Sequence, residues 1–194
     1  MTATTDPFRS FAPPLAGPPT LAPTDVSYVV DDTAVGRMLL AVRDDGRVLT
    51  TAYAPDTEVE DRWLARIAGT VSPRVLRHPA PTDAVRRALE EYLAGRARRV
   101  EVETDLVLAS DFQREVLTGL AGSVGYGERT TYAVLARAVG HPGAARAVGT
   151  ALGGNPLCVT IPCHRVLPAS GGVGGYAGGP GAKEHLLALE SHPC

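Results

Sequence analysis

Apolar residues fall into short, strand-like runs in the first half of the chain. The segments VSYVV and RMLLAVR predict two strands, Asp45-Gly46 marks a tight turn, and RVLTTAY predicts the returning strand of a hairpin. A later segment, VEVETDLVL, is predicted as the last strand. Between these strands, EVEDRWLARIAG and PTDAVRRALEEYLAG carry apolar residues at helical spacing. The pattern indicates a mixed α/β unit over residues 25–105.

The second of these helices carries its own start and stop signals. Thr82 or Asp83 is expected to cap its N-terminus, and Gly95 is expected to end it. An apolar stripe runs along one side of this helix, and its members are Val85, Leu89, Tyr92 and Leu93.

Helical periodicity dominates the chain after residue 110. Three helices are predicted in SDFQREVLTGLAG, TTYAVLARAVG and AARAVGTALGG, and a last one in GAKEHLLALE. Pro142, in the short break before the third, suits a first helical position. Two helices joined by so short a turn predict a helix-turn-helix. The predicted fold class is therefore α/β, with an N-terminal α/β domain and a mostly helical C-terminal domain over residues 106–194.

Composition narrows the class of protein. Residues 1–24 contain repeated prolines and are predicted to form an extended tail. Apolar residues make up 44% of the chain and charged residues 21%, which is enough for a packed core. The net charge of -2 provides no global basic field, so any contact with nucleic acid must come from a local patch.

Neither a membrane span nor a secretory signal is expected, because no apolar run approaches eighteen residues and the N-terminus lacks a basic-then-apolar segment. The three cysteines are too few and too clustered for a disulfide framework. A reducing, cytoplasmic location is therefore expected.

The third predicted helix of the second half has a face of small residues. That face is predicted to contain Ala144, Ala145, Ala147, Gly149 and Ala151, with Arg146 as its cation. Small side chains allow close packing on another helix, or entry into a minor groove only about 6 Å wide. Arg146 is correspondingly either a solvated cation or a side chain that enters the base stack where a nucleotide has left it.

Cys163 stands beside His164 and behind Pro162, in a segment expected to be extended. Adjacent side chains in such a segment point to opposite sides, so a water or a turn must connect the histidine to the thiol. A metal site is not predicted, because no histidine pair follows Cys158 and Cys163 at a suitable spacing. A redox pair is disfavoured because no CxxC is present. From these residues alone, Cys163 is either a nucleophile or a core residue.

The segment NPLCVTIPCHRV, preceded by AARAVG and followed by GGYAGG, resembles the O6-alkylguanine-DNA alkyltransferases, also called methylated-DNA–protein cysteine methyltransferases. The resemblance is nearly ungapped from Phe112 to Glu190 and looser over residues 25–105, which would be the family's ribonuclease H-like domain. It implies a protein that binds duplex DNA through the minor groove and flips the damaged base. The alkyl group of O6-alkylguanine, or of O4-alkylthymine, then passes irreversibly to the protein's own cysteine.

The resemblance also implies a role for individual residues. Cys163 is the acceptor, His164 deprotonates it through a water, Glu190 orients that histidine, Asn155 ties the turn to the active-site segment, and Tyr132 protonates the leaving base. The residues expected to contact DNA are Thr131, Ala133, Ala145, Arg146 and Gly149. Those expected to line the substrate pocket are Cys158, Val166, Tyr176 and Ala177. Ala177 stands where some members have a hydroxyl group.

Single turnover, no cofactor, no metal and a monomeric state follow from the same resemblance, with cooperative binding on duplex DNA left open. The nearest rival is an alkyltransferase-like protein that binds lesions without repairing them, although such proteins lack the acceptor cysteine. A cysteine hydrolase and a helix-turn-helix regulator without chemistry are the rivals from other classes.

Overall fold

A computed structural model describes residues 24–191 of the protein. The predicted proline-rich tail, apart from Thr24, lies outside the described residues, as do His192 and Cys194. Within the described range, no helix has the length and apolar character needed to cross a membrane.

The first half folds around a four-stranded sheet. Its strands are β1 (Val26–Thr33), β2 (Gly36–Arg43), β3 (Val48–Tyr53) and β4 (Val75–Arg77), in the order β3-β2-β1-β4. The pairs β1–β2 and β2–β3 are antiparallel, and β4 runs parallel to β1. The predicted hairpin is confirmed, with Gly46 at a positive φ of 85° in the turn between β2 and β3.

The strand predicted in VEVETDLVL is wrong. Only Thr104 bridges to Val48 of β3, and a 3-10 turn follows at Leu106–Leu108. The Asp105 side chain accepts a hydrogen bond from the amide of Val107 at 2.9 Å, and this contact bends the chain away from the sheet. The sequence prediction also missed β4, whose three residues are too short for a periodic signal.

Both faces of the sheet are covered. On β2, Leu39 and Ala41 belong to the apolar cluster that includes Ile67 of helix α1 (Thr57–Thr70). Alternate β2 residues point the other way, as the strand period requires. They join the cluster that contains the apolar stripe of helix α2 (Asp83–Leu93).

The ends of these helices have identifiable causes. Asp56 caps α1 by accepting a hydrogen bond from the amide of Val59 at 2.8 Å. Thr82 occupies the N-cap position of α2, one of the two residues predicted for it, but its hydroxyl donates to the carbonyl of Pro79 and makes no capping hydrogen bond to the helix. Gly95 follows α2 at a positive φ of 73°, as predicted for its stop.

The second half contains four helices: α3 (Asp111–Ser123), α4 (Tyr132–Ala138), α5 (Ala145–Gly153) and α6 (Gly179–Leu189). Helices α3, α4 and α5 pack on one another. A short parallel pair joins β5 (Thr130–Thr131) to β6 (Val166–Leu167). The helical start predicted at Pro142 is wrong, because Gly140 and Gly143 have positive φ and hold residues 140–144 as a turn before α5.

One buried cluster runs through both halves of the chain. It contains Val29, Leu40 and Tyr92 from the first half, and it continues through the second half in Leu117, Leu120, Leu135, Val148, Leu157, Cys163 and Leu186. The free edge of β3 also contacts the second half, since the amide of Thr51 donates to the carbonyl of Pro156 at 2.9 Å. The sheet therefore positions the loop between α5 and Cys163.

Candidate active site

Cys163 begins a single 3-10 turn, Cys163–Arg165, that packs on α6. The extended segment predicted around Cys163 and His164 is therefore wrong, and a helical turn separates the two side chains instead. His164 is fully buried, whereas Cys163 keeps 6% of its surface exposed. The cysteine is therefore the member of the pair that opens toward solvent.

Asn155 holds the Cys163 sulfur. Its side-chain Nδ2 donates to Cys163 Sγ at 3.2 Å and to the carbonyl of Ile161 at 3.1 Å. Its Oδ1 accepts from the amide of Leu157 at 2.9 Å. The same amide group thus shapes the loop and directs a donor at the sulfur.

The surroundings of Cys163 favour its thiolate. A hydrogen bond from Cys158 lowers the pKa of Cys163 most, and the Asn155 amide and the positive charge of Lys183 lower it further, while burial acts in the opposite direction. The pKa of Cys158 is raised by that same hydrogen bond and by burial. The proton therefore stays on Cys158, and Cys163 is the member of the pair that ionises.

His164 is held by Glu190, with 2.7 Å between His164 Nε2 and Glu190 Oε1. Arg165 Nε lies 3.1 and 3.0 Å from the two oxygens of the same carboxylate. Burial opposes ionisation of Glu190, but the hydrogen bonds from His164 and Arg165 outweigh it and lower the pKa to about 2. Glu190 is therefore a buried carboxylate that accepts hydrogen bonds at neutral pH.

This carboxylate assigns the tautomer of His164. Because Glu190 is an acceptor, the proton of the neutral imidazole lies on Nε2. Burial lowers the pKa of His164, which favours that neutral form. Nδ1 is buried and has no hydrogen-bond partner among the described residues. It is therefore a free lone pair that can accept a proton.

Three residues of this network were not predicted from the sequence. Tyr92, from α2, donates its hydroxyl hydrogen to Glu190 Oε1. Arg165 pairs with Glu190, and Lys183 of α6 donates to the carbonyl of Val166 at 2.8 Å. Arg165 lies inside the PCHRV motif, which is a local signal. Tyr92 has none, because its place in the helical stripe is already explained by core packing.

A cavity of about 330 Å³ opens beside Cys163. It is lined by Tyr132, Gly149, Leu152, Gly153, Cys163, Gly175, Tyr176 and Ala177. Two of the predicted pocket residues, Tyr176 and Ala177, line it. The other two, Cys158 and Val166, are buried and do not line it.

A wider groove of about 650 Å³ lies next to this cavity. All five residues expected to contact DNA line it: Thr131, Ala133, Ala145, Arg146 and Gly149. Tyr132 and Gly149 line the groove and the cavity alike. Ala151 does not belong to the exposed small-residue face as predicted, because it is buried and its carbonyl accepts from Gln113 of α3 at 2.7 Å.

The glycine-rich loop closes the cavity against the sheet. The Tyr176 ring meets the Tyr53 ring of β3 edge-on, with 5.5 Å between ring centroids. A Cβ at Gly178 would overlap the Tyr53 ring, so only glycine fits there without displacing that ring. Among the described residues, no group of three histidine, cysteine, aspartate or glutamate side chains is arranged to hold a metal ion.

Comparison with known proteins places this site in a family. A family model described as 6-O-methylguanine DNA methyltransferase, DNA binding domain, matches residues 111–192. A methylated-DNA–protein-cysteine methyltransferase of Mycolicibacterium paratuberculosis is 41% identical over 165 residues, which are 85% of this chain and 92% of the relative. The chain belongs to the methylated-DNA–protein-cysteine methyltransferase family.

Solved structures agree with this methyltransferase assignment. The crystal structure of Mycobacterium tuberculosis OGT in complex with DNA has a TM-score of 0.71 at 33% identity, covering 85% of this chain and 92% of that one. The O6-methylguanine-DNA methyltransferase of Pyrococcus kodakaraensis has a TM-score of 0.59 at 27% identity, covering 86% and 99%. Membership makes the chain a methyltransferase, and its mixed α/β fold is the one that these relatives share.

Proposed function

We propose that the protein repairs duplex DNA by moving the alkyl group of O6-alkylguanine, or of O4-alkylthymine, irreversibly onto Cys163. One observation carries the proposal. The cavity that exposes Cys163 shares two walls, Tyr132 and Gly149, with the groove that contains Arg146. A base turned out of DNA lying in that groove would enter the cavity and meet the sulfur.

Binding is proposed to occur through the minor groove. Helices α4 and α5, joined by residues 139–144, would act as a helix-turn-helix, with the small residues of α5 allowing close approach. Arg146 would fill the space that the flipped nucleotide leaves. The DNA complex of the Mycobacterium tuberculosis relative supports DNA as the partner.

The transfer step needs a thiolate and a proton for the leaving base. The thiol proton of Cys163 would pass through a water to His164 Nδ1, which Glu190 orients through Nε2. The sulfur would then attack the alkyl carbon, so that an S–C bond forms and the C–O6 bond breaks. Tyr132, which lines the cavity, would donate a proton to the departing guanine.

Positioning contributes more than ionisation to such a reaction. A free thiol with a pKa near 8.5 is only about 3% thiolate at pH 7, so complete ionisation gains at most about 30-fold. Alignment of sulfur, carbon and leaving oxygen contributes far larger factors. The Asn155 contact contributes to positioning and to ionisation, because it directs the Cys163 sulfur and stabilises its negative charge.

The product is a thioether, which water does not hydrolyse, so each molecule would react once and need no cofactor. We also propose a monomer in a reducing, cytoplasmic location, a ribonuclease H-like domain over residues 25–105, and an acceptor domain over residues 106–194. Ala177 in the cavity wall offers only its backbone N–H to O6, which would restrict the range of adducts.

The experiment follows a labelled methyl group from O6-methylguanine duplex DNA onto the protein. We expect label on Cys163 in a burst that does not exceed the protein concentration. Cys163→Ala should acquire no label while still binding the lesion. Lesion binding without label in the wild type would instead indicate a non-catalytic alkyltransferase-like protein, and repeated turnover on small esters would indicate a cysteine hydrolase.

A further inference from the structure

Cys158 is a buried thiol that the transfer reaction does not use. Its Sγ lies 3.3 Å from the carbonyl oxygen of Asn155, whose side chain also holds the Cys163 sulfur at 3.2 Å. Hydrogen bonding between the Cys158 and Cys163 side chains is also the largest cause of the lowered pKa of Cys163. Both thiols are free in this structure. Asn155 therefore contacts both sulfur atoms, one through its side chain and one through its backbone carbonyl.

The backbone between the two cysteines forms a tight turn. Val159 has a positive φ of 70°, a conformation that β-branched residues rarely adopt. The amide of Ile161 donates to the carbonyl of Leu157 at 2.7 Å, which closes the turn. On the sheet side, the Thr51 hydroxyl donates to the carbonyl of Cys158 at 2.7 Å. The turn thus carries Cys158 back toward Cys163, a proximity that their spacing in the sequence does not indicate.

The two thiols differ in access. Cys163 lines the 330 Å³ cavity, whereas Cys158 keeps 1% of its surface exposed and lies behind it. A small polar oxidant that enters the cavity therefore meets Cys163 first. Cys163 is also the more easily ionised of the two, and the thiolate is the form that reacts with peroxides.

We propose that the Cys163 sulfur has a second reaction, with hydroperoxides, and that Cys158 is its resolving thiol. The Cys163 thiolate attacks one oxygen of hydrogen peroxide, so that an S–O bond forms, the O–O bond breaks and hydroxide leaves. The Cys158 sulfur then attacks the sulfenic acid at Cys163, an S–S bond forms, and the S–O oxygen leaves as water with the Cys158 proton. In sum, one peroxide becomes two waters and two thiols become one disulfide.

The consequence is protection of an acceptor that the protein can use only once. A sulfenic acid without a neighbouring thiol is oxidised further to sulfinic acid, which thiol reductants do not reverse. A disulfide with Cys158 stops oxidation at a stage that dithiols reverse. Oxidised protein would therefore lose its acceptor temporarily and regain it on reduction.

The test treats the full chain with hydrogen peroxide, blocks the remaining thiols with iodoacetamide, and maps the cysteine peptides by mass spectrometry. Residues 159–162 contain no Lys, Arg, Asp or Glu, so Cys158 and Cys163 fall in one peptide. We expect that peptide to carry no iodoacetamide label and to be lighter by about 2 Da than its dithiol form. Methyl acceptance should fall with the linked fraction and return after dithiothreitol. The mass readout does not depend on methyl transfer, so it stands even if the proposed repair activity fails.

Two matched variants complete the experiment. Cys158→Ala should lose methyl acceptance irreversibly, with two oxygen atoms added at Cys163, whereas Cys194→Ala should behave like the wild type. The proposal is overturned if wild-type Cys163 is recovered as sulfinic acid or linked to Cys194, or if dithiothreitol does not restore the thiols. Because peptide mapping of the wild type decides this point, poor folding of a variant cannot hide the answer.

Discussion

The Thr51 hydroxyl of β3 donates a hydrogen bond of 2.7 Å to the carbonyl oxygen of Cys158, five residues before Cys163. The same hydroxyl lies 3.2 Å from the Thr160 hydroxyl, and the Thr51 amide binds the carbonyl of Pro156. The edge of the sheet therefore holds the loop that carries Asn155 and Cys158. Thr51, a residue of the first half, therefore positions a loop of the second half that contacts Cys163.

Thr51→Val should slow methyl transfer while preserving side-chain shape. The variant leaves the Cys158 carbonyl without its donor, which costs about 1–3 kcal/mol of folding free energy. Because small displacements of a reacting group cost large factors in rate, we expect single-turnover transfer to fall about 10-fold or more. Thr51→Ser keeps the hydroxyl and should react like the wild type. An unchanged transfer rate in folded Thr51→Val would show that the contact does not position the loop.

Lys183→Met should move the pH dependence of Cys163 reactivity to higher pH. The Lys183 charge lowers the pKa of Cys163, so its removal raises that pKa and reduces the thiolate fraction at pH 7. We expect alkylation of Cys163 by iodoacetamide to slow severalfold at pH 7 and to approach the wild-type rate at high pH. Lys183→Arg, which keeps the charge, is the control. This role would be contradicted if the two pH profiles gave the same pKa for Cys163 in Lys183→Met and in the wild type.

Glu190→Gln should destabilise the protein in a pH-dependent manner. The folded-state pKa of Glu190, about 2, lies below its ordinary value of 4.5. Its contribution to stability is therefore complete above about pH 4.5 and is lost as pH falls toward 2. At pH 7 the variant leaves Arg165 buried without its partner, a loss of about 3–5 kcal/mol.

Urea unfolding at several pH values measures this effect. The difference in unfolding free energy between the wild type and Glu190→Gln should shrink as pH falls from 4.5 toward 2. Glu184→Gln, at an exposed position of α6, should have the same unfolding free energy as the wild type at every pH. A stability gap that does not change with pH would mean that the Glu190 charge contributes nothing to folding.

Arg146→Ala should slow transfer from duplex DNA without changing the reactivity of the Cys163 sulfur. Arg146 lines the groove but not the cavity, so its loss should affect only substrates held in duplex DNA. We expect transfer from O6-methylguanine duplex to fall about 10-fold or more, because stabilisation of the unstacked duplex is lost. Transfer from free O6-benzylguanine should be unchanged. Arg62→Ala on α1 is the matched control, and an equal loss on both substrates would assign Arg146 a structural role.

Local sequence patterns predicted most elements of the fold. The hairpin of β2 and β3 and the six α-helices of residues 24–191 were expected, because each has a strong period or turn signal of its own. Strand β4 was missed and a strand at residues 100–108 was wrongly expected. Pairing in a sheet depends on distant partners, and at Asp105 a local side-chain contact ends the pairing after one residue.

The residues of the candidate site likewise include some that the sequence predicted and some that it did not. The second-half motif supplied Cys163, His164 and Asn155, which lie close together in the chain. Tyr92 and Thr51 come from the first half and carried no signal. Their sequence neighbourhoods describe a helix stripe and a strand, and the contacts with Glu190 and Cys158 exist only once the two halves pack together.

The apolar cluster shared by both halves implies that the molecule melts as a single cooperative unit rather than as two modules. A heating or denaturant experiment would then register loss of the sheet and loss of the Cys163 site in one transition. Selection for reactivity at the sulfur thereby also constrains the strand edge that supports it.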